Sequence, residues 1–196
     1  MLEPETNRSS DAQAIERSLA DPSRFEVVFD RHYDTIHRYV ARRLGSPVAD
    51  DLASEVFVQA FTARSRFTAP PGGSCLPWLY GITSNTMRHE SRRRLRESRA
   101  VRRVTTSGHV QDVSTDVAWS VDAQRRVEES GLIDAMNDLP PDDRETFYLY
   151  AVAEASYAEV AEALEVPLGT VRSRLARVRQ KLRAALETAT GSEEMS

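Results

Sequence analysis

Apolar residues recur along this chain at intervals of three, four and seven positions, the spacing that places them on one face of an α-helix. Gly45, a residue type that commonly ends helices, follows the first such series: Phe25, Val28, Phe29, Ile36, Val40 and Leu44. Nowhere do apolar and polar residues alternate strictly, as they do in a half-buried strand. The sequence therefore predicts an all-α fold.

Two more helices are predicted in the first half of the chain. Ser46 is a candidate N-cap and Pro47 suits the first helical position, so a second helix is expected to begin there. Residues 68–74 contain two prolines and two glycines and predict a loop. A third helix is expected from about Leu76 into an arginine-rich stretch.

A segment without helical period separates the two halves. Residues 104–121 are rich in Thr, Ser, Gly, Asp and Val, which indicates a linker. The helical pattern returns over residues 125–139, and the pair Pro140-Pro141 ends it. Asp142 or Asp143 is expected to cap the helix that follows.

The last third of the chain carries the parts of a helix-turn-helix. Ser156 and Glu159 have the Ser-x-x-Glu spacing of a capping box, in which the two side chains satisfy free amide hydrogens where a helix starts. That helix is expected to end at Leu164, and after a short break Pro167 opens another. The apolar stripe of this second helix consists of Val171, Leu175, Val178, Leu182 and Leu186. A short capped helix, a tight turn and a second amphipathic helix predict a helix-turn-helix.

The charge is divided along the chain, although the net charge is −4. Residues 88–103 hold eight arginines against two acids, and residues 166–183 hold six cations and no acid. Solvated helix faces are the alternative explanation, but such faces normally contain interspersed acids. Two separate basic patches are what a protein that touches two sites on one duplex would carry.

The apolar stripe of the last long helix fixes which side chains face outward. If the stripe packs inward, four residues near the helix start point toward solvent: Arg172, Ser173, Arg174 and Arg177. This part of a recognition helix meets base edges in the major groove, where an arginine bonded twice to guanine discriminates by about 1 to 3 kcal/mol. Further along, Arg179, Lys181 and Arg183 are placed to meet phosphates.

Three ordered motifs in this region, within residues 138–147, 156–162 and 166–175, resemble domain four of the extracytoplasmic-function sigma factors. The resemblance implies that the last long helix reads the minus-35 element of a promoter. It assigns this contact to Thr170, Arg172, Ser173, Arg174, Ala176, Arg177 and Lys181. Two glycines common in the family are here Glu154 and Glu165, and a left-handed conformation at Glu165 would cost roughly 1 kcal/mol relative to glycine.

Residues 50–57 resemble the helix of domain two that docks on the clamp of RNA polymerase. The resemblance assigns polymerase binding to Asp51, Leu52, Glu55, Val56 and Gln59. The polar residues would form the rim, and Leu52, Val56 and Phe57 would be either apolar contacts or core. The clustered carboxylates lack a further ligand at helical spacing, so we expect no metal here.

Residues 78–85 resemble the family's promoter-opening segment. By that resemblance Asn85 lines a pocket for an extruded base of the minus-10 element, and the loop of residues 70–74 closes over it. Contacts to this element are assigned to Trp78, Tyr80, Asn85, Arg88, Arg92 and Arg93. Trp78 and Tyr80 are either base platforms or core aromatics. Gly81 stands where the family usually has an arginine.

The resemblance divides the chain into an N-terminal extension (1–22), sigma domain two (23–100), a flexible linker (101–124), sigma domain four (125–187) and a C-terminal tail (188–196). The polar ends, residues 1–21 and 188–196, are expected to be flexible. Cys75 is the single cysteine, with no Cys or His near it in sequence, so it predicts a buried side chain and neither a disulfide nor a metal or cofactor site.

The resemblance implies a non-catalytic, cytoplasmic subunit that binds core RNA polymerase, through its beta and beta-prime subunits, and promoter DNA. An anti-sigma factor is a further candidate partner, and the lack of a long apolar run predicts no membrane insertion. A helix-turn-helix regulator that does not bind polymerase is the second hypothesis, which the clamp-docking and opening segments disfavour. The four histidines pair with no Cys75 or acid at catalytic spacing, so an enzyme is the weakest hypothesis.

Overall fold

The computed structural model describes residues 10–70, 73–104 and 132–193. Helices in these ranges are α1 (Asp11–Ala20), α2 (Glu26–Leu44), α3 (Ser46–Ala63), α4 (Leu76–Val104), α5 (Leu132–Asn137), α6 (Pro141–Ala151), α7 (Tyr157–Ala163) and α8 (Leu168–Glu193). Short 3-10 turns lie at Pro22–Phe25 and Arg64–Arg66. These ranges contain no strand, and the all-α prediction is confirmed. None of the described helices has both the length and the apolar character needed to span a membrane.

Helices α1 to α4 form the N-terminal unit, whose core contains much of the predicted apolar face, although Phe29 of that face is 39% exposed. Val28, Ile36 and Val40 of α2 are fully buried, and α3 packs along the same helix. Gly45 ends α2 with a φ of 84°, a backbone conformation that glycine adopts without steric cost. The N-cap of α3 is Gly45 itself, so the expectation that Ser46 is the cap was wrong by one residue.

Helices α5 to α8 form the C-terminal unit, a helix-turn-helix built on α7 and α8. Ser156 and Glu159 form the predicted capping box, with reciprocal bonds of 2.7 and 3.3 Å. The stripe residues of α8 nearest its start are buried: Val171, Leu175 and Val178. The N-cap of α6 is Pro140, which has no side-chain cap, so neither candidate aspartate is the cap. Asp142 and Asp143 lie instead in the first turn of α6.

Two glutamates of the C-terminal unit adopt the left-handed conformation. Glu154, which follows α6, has φ 57°, and Glu165, in the turn between α7 and α8, has φ 53°. These are the positions where the sequence resemblance placed family glycines. Without a glycine, each turn retains its shape at the cost of steric strain between the Cβ and the backbone.

Parts of both predicted flexible ends are helical in the described residues. Ser10 and Gln13 form a second capping box, and α1 follows it and buries Ala14 and Ile15 against the N-terminal unit. Helix α8 continues to Glu193, past the expected start of a tail, and α4 continues to Val104, into the expected linker. Residues 105–131, which include the rest of that linker and the predicted start of sigma domain four, lie outside the described residues.

Asp11, at the start of α1, ties that helix to the rest of the unit. Its carboxylate accepts hydrogen bonds from Arg31 (3.0 Å) and from the backbone N–H of Cys75 (3.0 Å), and lies 2.8 Å from His32 Nε2. Burial alone would raise the pKa of Asp11, but the bonds from His32 and Cys75 hold the pKa of that carboxyl well below its usual range. The carboxylate is therefore satisfied as a buried anchor.

Cys75 is fully buried, as the sequence predicted, but its surroundings differ from the expectation. The fold brings Asp11, His32 and Cys75 together, with one potential metal-ligating atom of each within 4.8 Å of the others. Burial, followed by the nearby Asp11 carboxylate, raises the pKa of the Cys75 thiol well above its usual range, which disfavours a thiolate ligand. The guanidinium of Arg31 already supplies a positive charge to Asp11.

We expect Glu165→Gly to stabilise the protein. Glycine removes the strain at φ 53° and gives back part of this gain through its greater freedom in the unfolded chain, so the free energy of unfolding should rise by about 0.5 to 1 kcal/mol. Urea unfolding measures this free energy. The same change at Glu162, inside α7, is the matched control and should destabilise by about 1 kcal/mol. Equal destabilisation by both substitutions would contradict the account of the turn.

Candidate nucleic-acid interface

The start of α8 presents one clear solvent-facing strip. Arg172, Ser173 and Ala176 are exposed, and Thr170 is half-buried beside them. The Ser173 hydroxyl donates to the Thr170 carbonyl at 3.0 Å, which holds it against the helix. Arg172 has no ion-pair or hydrogen-bond partner among the residues that the structure describes. Its guanidinium is therefore available to an external acceptor.

Other cations of α8 are engaged within the C-terminal unit. Arg177 makes two bonds to Asp143, of 2.8 and 2.7 Å, and the Asp143 carboxylate is almost fully buried. Arg174 donates to Asp142 at 2.9 Å, and only 15% of its side chain is exposed. The expectation that Arg174 points outward is thus not met, because this arginine clamps α8 to the first turn of α6.

Lys181 also has an internal partner. Its ammonium lies 3.4 Å from the carboxylate of Asp138, which precedes α6. The Lys181 side chain is 40% exposed and that of Asp138 is 72% exposed, so this solvent-accessible pair contributes little to stability and can exchange for a phosphate at small cost. Arg177, by contrast, cannot leave Asp143 without stranding a buried charge. The structure therefore ranks Arg172 above Arg174, Arg177 and Lys181 as a candidate for base contact.

The promoter-opening segment lies at the start of α4 and borders a cavity of about 500 Å³. Trp78, Gly81, Ser84, Asn85 and Arg88 line one wall. Asn85 is exposed, and its amide has no hydrogen-bond partner among the described residues. A free amide beside a cavity of this size is suited to bind the edge of an extruded base.

The two aromatics of this segment differ in their surroundings. Tyr80 is 2% exposed and packs edge-on against Tyr39, and burial raises the pKa of Tyr80 to about 12. Tyr80 is therefore a core residue, the second of the two roles that the sequence allowed. Trp78 is half-buried, 5.0 Å from the Phe67 ring, and lines the cavity. It retains a surface on which a base could stack.

The loop expected to close over this cavity packs elsewhere where it is described. The Gly73 carbonyl accepts a bond from Ala12 N–H in α1, and Gly73 and Ser74 do not line the cavity. Residues 71 and 72 of this loop lie outside the described ranges.

Some arginines of α4 bond to an acidic residue and others do not, as in α8. Arg93 and Arg94 both bond to Glu90, and Arg93 is the first cause of the lowered pKa of that carboxyl. Arg88 and Arg92 are exposed, and neither guanidinium is paired with an acid in the described part of the chain. These two are the cations best placed to follow a phosphate backbone from the cavity.

The predicted polymerase-binding helix is α3, and its residues separate into a core face and an exposed face. Leu52 and Val56 are buried, which places them in the core. Asp51, Glu55 and Gln59 are exposed, and Gln59 donates to Glu55 at 2.9 Å.

Sequence reasoning missed an apolar residue on that exposed face. Val58 is 65% exposed, seven positions after Asp51 and three after Glu55. That spacing was the available signal, because it places Val58 on the same side of the helix. An apolar residue surrounded by polar ones is the composition of a small docking surface.

Comparison with known proteins identifies the family of this chain. Residues 28–97 match the family model for sigma-70 region 2, and residues 131–182 match the model for sigma-70, region 4. The probable RNA polymerase sigma-C factor of Mycobacterium bovis is 30% identical over 90% of each chain. This chain belongs to the extracytoplasmic-function sigma factors of the sigma-70 family.

Other relatives and solved structures fit the same family. The RNA polymerase sigma factor CarQ of Myxococcus xanthus is 29% identical over 83% of this chain and 88% of its own. The structure of CnrH, solved in complex with the cytosolic domain of CnrY, superposes with a TM-score of 0.60 at 20% identity, covering 92% of this chain and 99% of CnrH. The sigma factor RpoE from Bartonella quintana, solved with the anti-sigma factor NepR, gives a TM-score of 0.51 at 23% identity, covering 85% and 96%. At these identities, the two structures support the fold of this sigma factor.

We expect Arg177→Ala to lower the Tm of this sigma factor, because it leaves the carboxylate of Asp143 buried without its main partner. Arg172→Ala is the matched control on the same helix, and it should change stability by less than about 0.5 kcal/mol. Thermal unfolding of both variants distinguishes the two roles. A Tm for Arg177→Ala equal to that of the unaltered protein would show that the pair does not hold α8 to α6.

Proposed function

We propose that this sigma factor recognises its promoters in two parts. The start of α8 reads the minus-35 element in duplex DNA, and the α4 cavity holds an unpaired base of the minus-10 element and so stabilises the opened DNA. The observation that carries the proposal is the presence, in one chain, of a free arginine on a recognition helix and a free amide beside a cavity.

The minus-35 part of the proposal rests on the exposed strip of α8. Arg172 offers an unpaired guanidinium of the kind that bonds guanine twice, and Ser173 offers a hydroxyl. Ala176, one turn after Arg172, presents a methyl group of the kind that contacts thymine. Lys181 lies further along the helix and is suited to a phosphate.

The minus-10 part rests on Asn85 and the cations that follow it. The amide of Asn85 can both donate to and accept from the edge of a base, and Trp78 can stack against its face. Arg88 and Arg92 then continue along α4 as unpaired positive charges for the adjoining backbone. Their contribution should weaken as salt concentration rises.

Binding to core RNA polymerase is assigned to the exposed face of α3, namely Asp51, Glu55, Val58 and Gln59. The beta and beta-prime subunits of polymerase are the proposed partners, and promoter DNA is the second partner. CnrH is solved in complex with the cytosolic domain of CnrY, and RpoE with the anti-sigma factor NepR, so we propose an anti-sigma factor as a third. We assign no catalytic step to this chain, since polymerase performs the chemistry.

A helix-turn-helix regulator acting without polymerase is the competing function. It would need the exposed strip of α8 but neither the α3 face nor the Asn85 cavity. The membership of the chain in the sigma family favours the sigma mechanism over this alternative.

Run-off transcription with core polymerase tests the two assignments separately. The templates are a promoter selected from a random library and derivatives with each base of both elements substituted in turn. Arg172→Ala should abolish the preference at one or two minus-35 positions and lower transcription about tenfold. Asn85→Ala should abolish the preference at one minus-10 position and leave the minus-35 profile intact.

Exposed neighbours on the same helices serve as controls: Gln180→Ala on α8 and His89→Ala on α4 should keep both profiles. Pull-down by core polymerase should be unchanged for all four variants. An equal loss of polymerase binding and transcription in Arg172→Ala, or an unaltered base preference in Asn85→Ala, would refute the corresponding assignment.

A further inference from the structure

Helix α1 contacts the segment that leads into the proposed minus-10 site. Gly73 and Cys75 lie just before α4, whose first turn carries Trp78. The Ala12 amide donates to the Gly73 carbonyl at 3.3 Å, and the Asp11 carboxylate accepts from the Cys75 amide at 3.0 Å. The start of α4 is therefore held by a residue that lies 64 positions earlier in the chain.

A cysteine occupies the N-cap position of α4. The Cys75 carbonyl accepts the first helical bond from the Leu79 amide at 2.9 Å, but a thiol is a weak acceptor, and Ser, Thr, Asp and Asn are the preferred caps. Ser74 satisfies the Leu76 amide at 3.2 Å. Asp11 adds a carboxylate from another helix at this end of α4, where negative charge is favourable.

The Asp11 carboxylate is itself held in a fixed position. Only 8% of its side chain is exposed, and Arg31 and His32 of α2 lie 3.0 and 2.8 Å from its oxygens. A buried carboxylate cannot move away from such partners without leaving charge unpaired in the interior. One side chain thus joins α1, α2 and the first turn of α4.

The other end of α1 holds the second aromatic residue of the site. The Arg64 guanidinium donates to the Ser18 carbonyl of α1 at 3.4 Å. Arg64 belongs to the 3-10 turn that leads directly to Phe67, whose ring packs 5.0 Å from that of Trp78. The residues on either side of Phe67 line the cavity. Both rings are therefore tethered to α1, one at each end of the helix.

The base-reading residue of the site has a different support. Asn85 lies ten positions after Cys75, and the adjacent Thr86 donates to Gln59 of α3 at 3.3 Å. This part of α4 is thus held by α3. Loss of the α1 contacts should disturb the stacking surface of Trp78 and leave the Asn85 amide in place.

We propose that α1 positions the aromatic surface of the minus-10 site, with Asp11 as the positioning residue. This inference rests on the proposed function and deepens it, because it gives the stacking surface and the base-reading amide separate supports. An aromatic ring can stack on any base, since every base has a π-face. Asp11 therefore governs how tightly the unpaired base is held, and Asn85 governs which base is preferred.

Binding of the sigma factor–core polymerase complex to a labelled single-stranded oligonucleotide tests the proposal. The oligonucleotide carries the minus-10 element of the selected promoter. A series places each of the four bases, or an abasic site, at the position that Asn85 reads. Fluorescence anisotropy gives the Kd for each oligonucleotide, so the strength of binding is measured separately from the preference among bases.

Asp11→Ala should raise the Kd about tenfold for all four bases, because stacking is weakened whatever the base. The ranking of the bases should not change, and the abasic oligonucleotide should bind as it does to the unaltered protein. Asn85→Ala should instead remove the preference among bases. Glu16→Ala, which removes an exposed carboxylate from the same helix, is the matched control and should leave every Kd unchanged.

A double substitution shows whether Asp11 acts through Trp78. Trp78→Ala should weaken binding by a similar factor, and adding Asp11→Ala to it should weaken binding no further. A residue that only stabilised the fold would lower binding equally with and without Trp78. Arg64→Ala releases the other end of α1 and should raise the Kd severalfold, which provides a second test if Asp11→Ala does not fold.

Pull-down by core polymerase and circular dichroism identify any variant that has unfolded. Unchanged Kd values in folded Asp11→Ala and Arg64→Ala would overturn the proposal, and so would additive losses in the double substitution. If Trp78→Ala and Asn85→Ala also bind every oligonucleotide normally, the proposed minus-10 site is wrong and this inference fails with it. If only those two variants respond, the site stands and α1 has no part in positioning it.

Discussion

A carboxylate of the C-terminal half, Glu145, is buried against an arginine of the N-terminal half, Arg43, more than one hundred residues earlier in the chain. This pair decides how the two helical units meet. Because neither charge can be desolvated alone, the pair favours an arrangement of the units that satisfies both. The close approach of Gly81 to the Ala163 carbonyl oxygen and the cavity beside Asn85 occur in that same arrangement.

Several cations of the two basic patches form ion pairs within the protein, which the sequence alone did not indicate. Six cations in the last long helix suggested a broad DNA-binding surface. Arg174 and Arg177 instead hold α8 to α6, and Arg93 and Arg94 bond to Glu90 within α4. Local charge therefore overstates the number of cations free for DNA. In the proposed mechanism, selectivity depends on the few cations that have no acid beside them in the described part of the chain, above all Arg172.

Features determined by neighbouring residues could be predicted from the sequence. Gly45, the Ser156 capping box and the buried start of the α8 stripe depend on contacts within one or two helical turns, and all three are confirmed, whereas Leu186 at the end of that stripe is 45% exposed. The family resemblance marked Glu154 and Glu165 as positions of family glycines, but a left-handed backbone was considered only at Glu165 and was predicted at neither. Propensity alone would not place a glutamate there.

Features determined by distant residues could not be predicted. Helix α1 looked like a polar, flexible end because its anchor, Asp11, bonds to Arg31, His32 and the Cys75 backbone, which are 20 to 64 positions away. The sequence suggested that Asp142 or Asp143 caps a helix. Their actual partners, Arg174 and Arg177, could not be identified because they lie about 30 positions later, in α8. The exposed Val58 on α3 is different, because its spacing from Asp51 and Glu55 was visible in the sequence and was overlooked. The residue assignments at the DNA and polymerase surfaces stay predictions.

The central claim is that this chain gives polymerase a sequence selectivity that the enzyme lacks. The most direct measurement is size-exclusion chromatography of the chain with core polymerase, followed by mapping of transcript 5′ ends on a random promoter library, with and without the chain. The account predicts a stable complex and discrete start sites that share two elements and vanish when the chain is omitted. A chain that elutes apart from polymerase, yet binds duplex DNA sequences by itself, would contradict it.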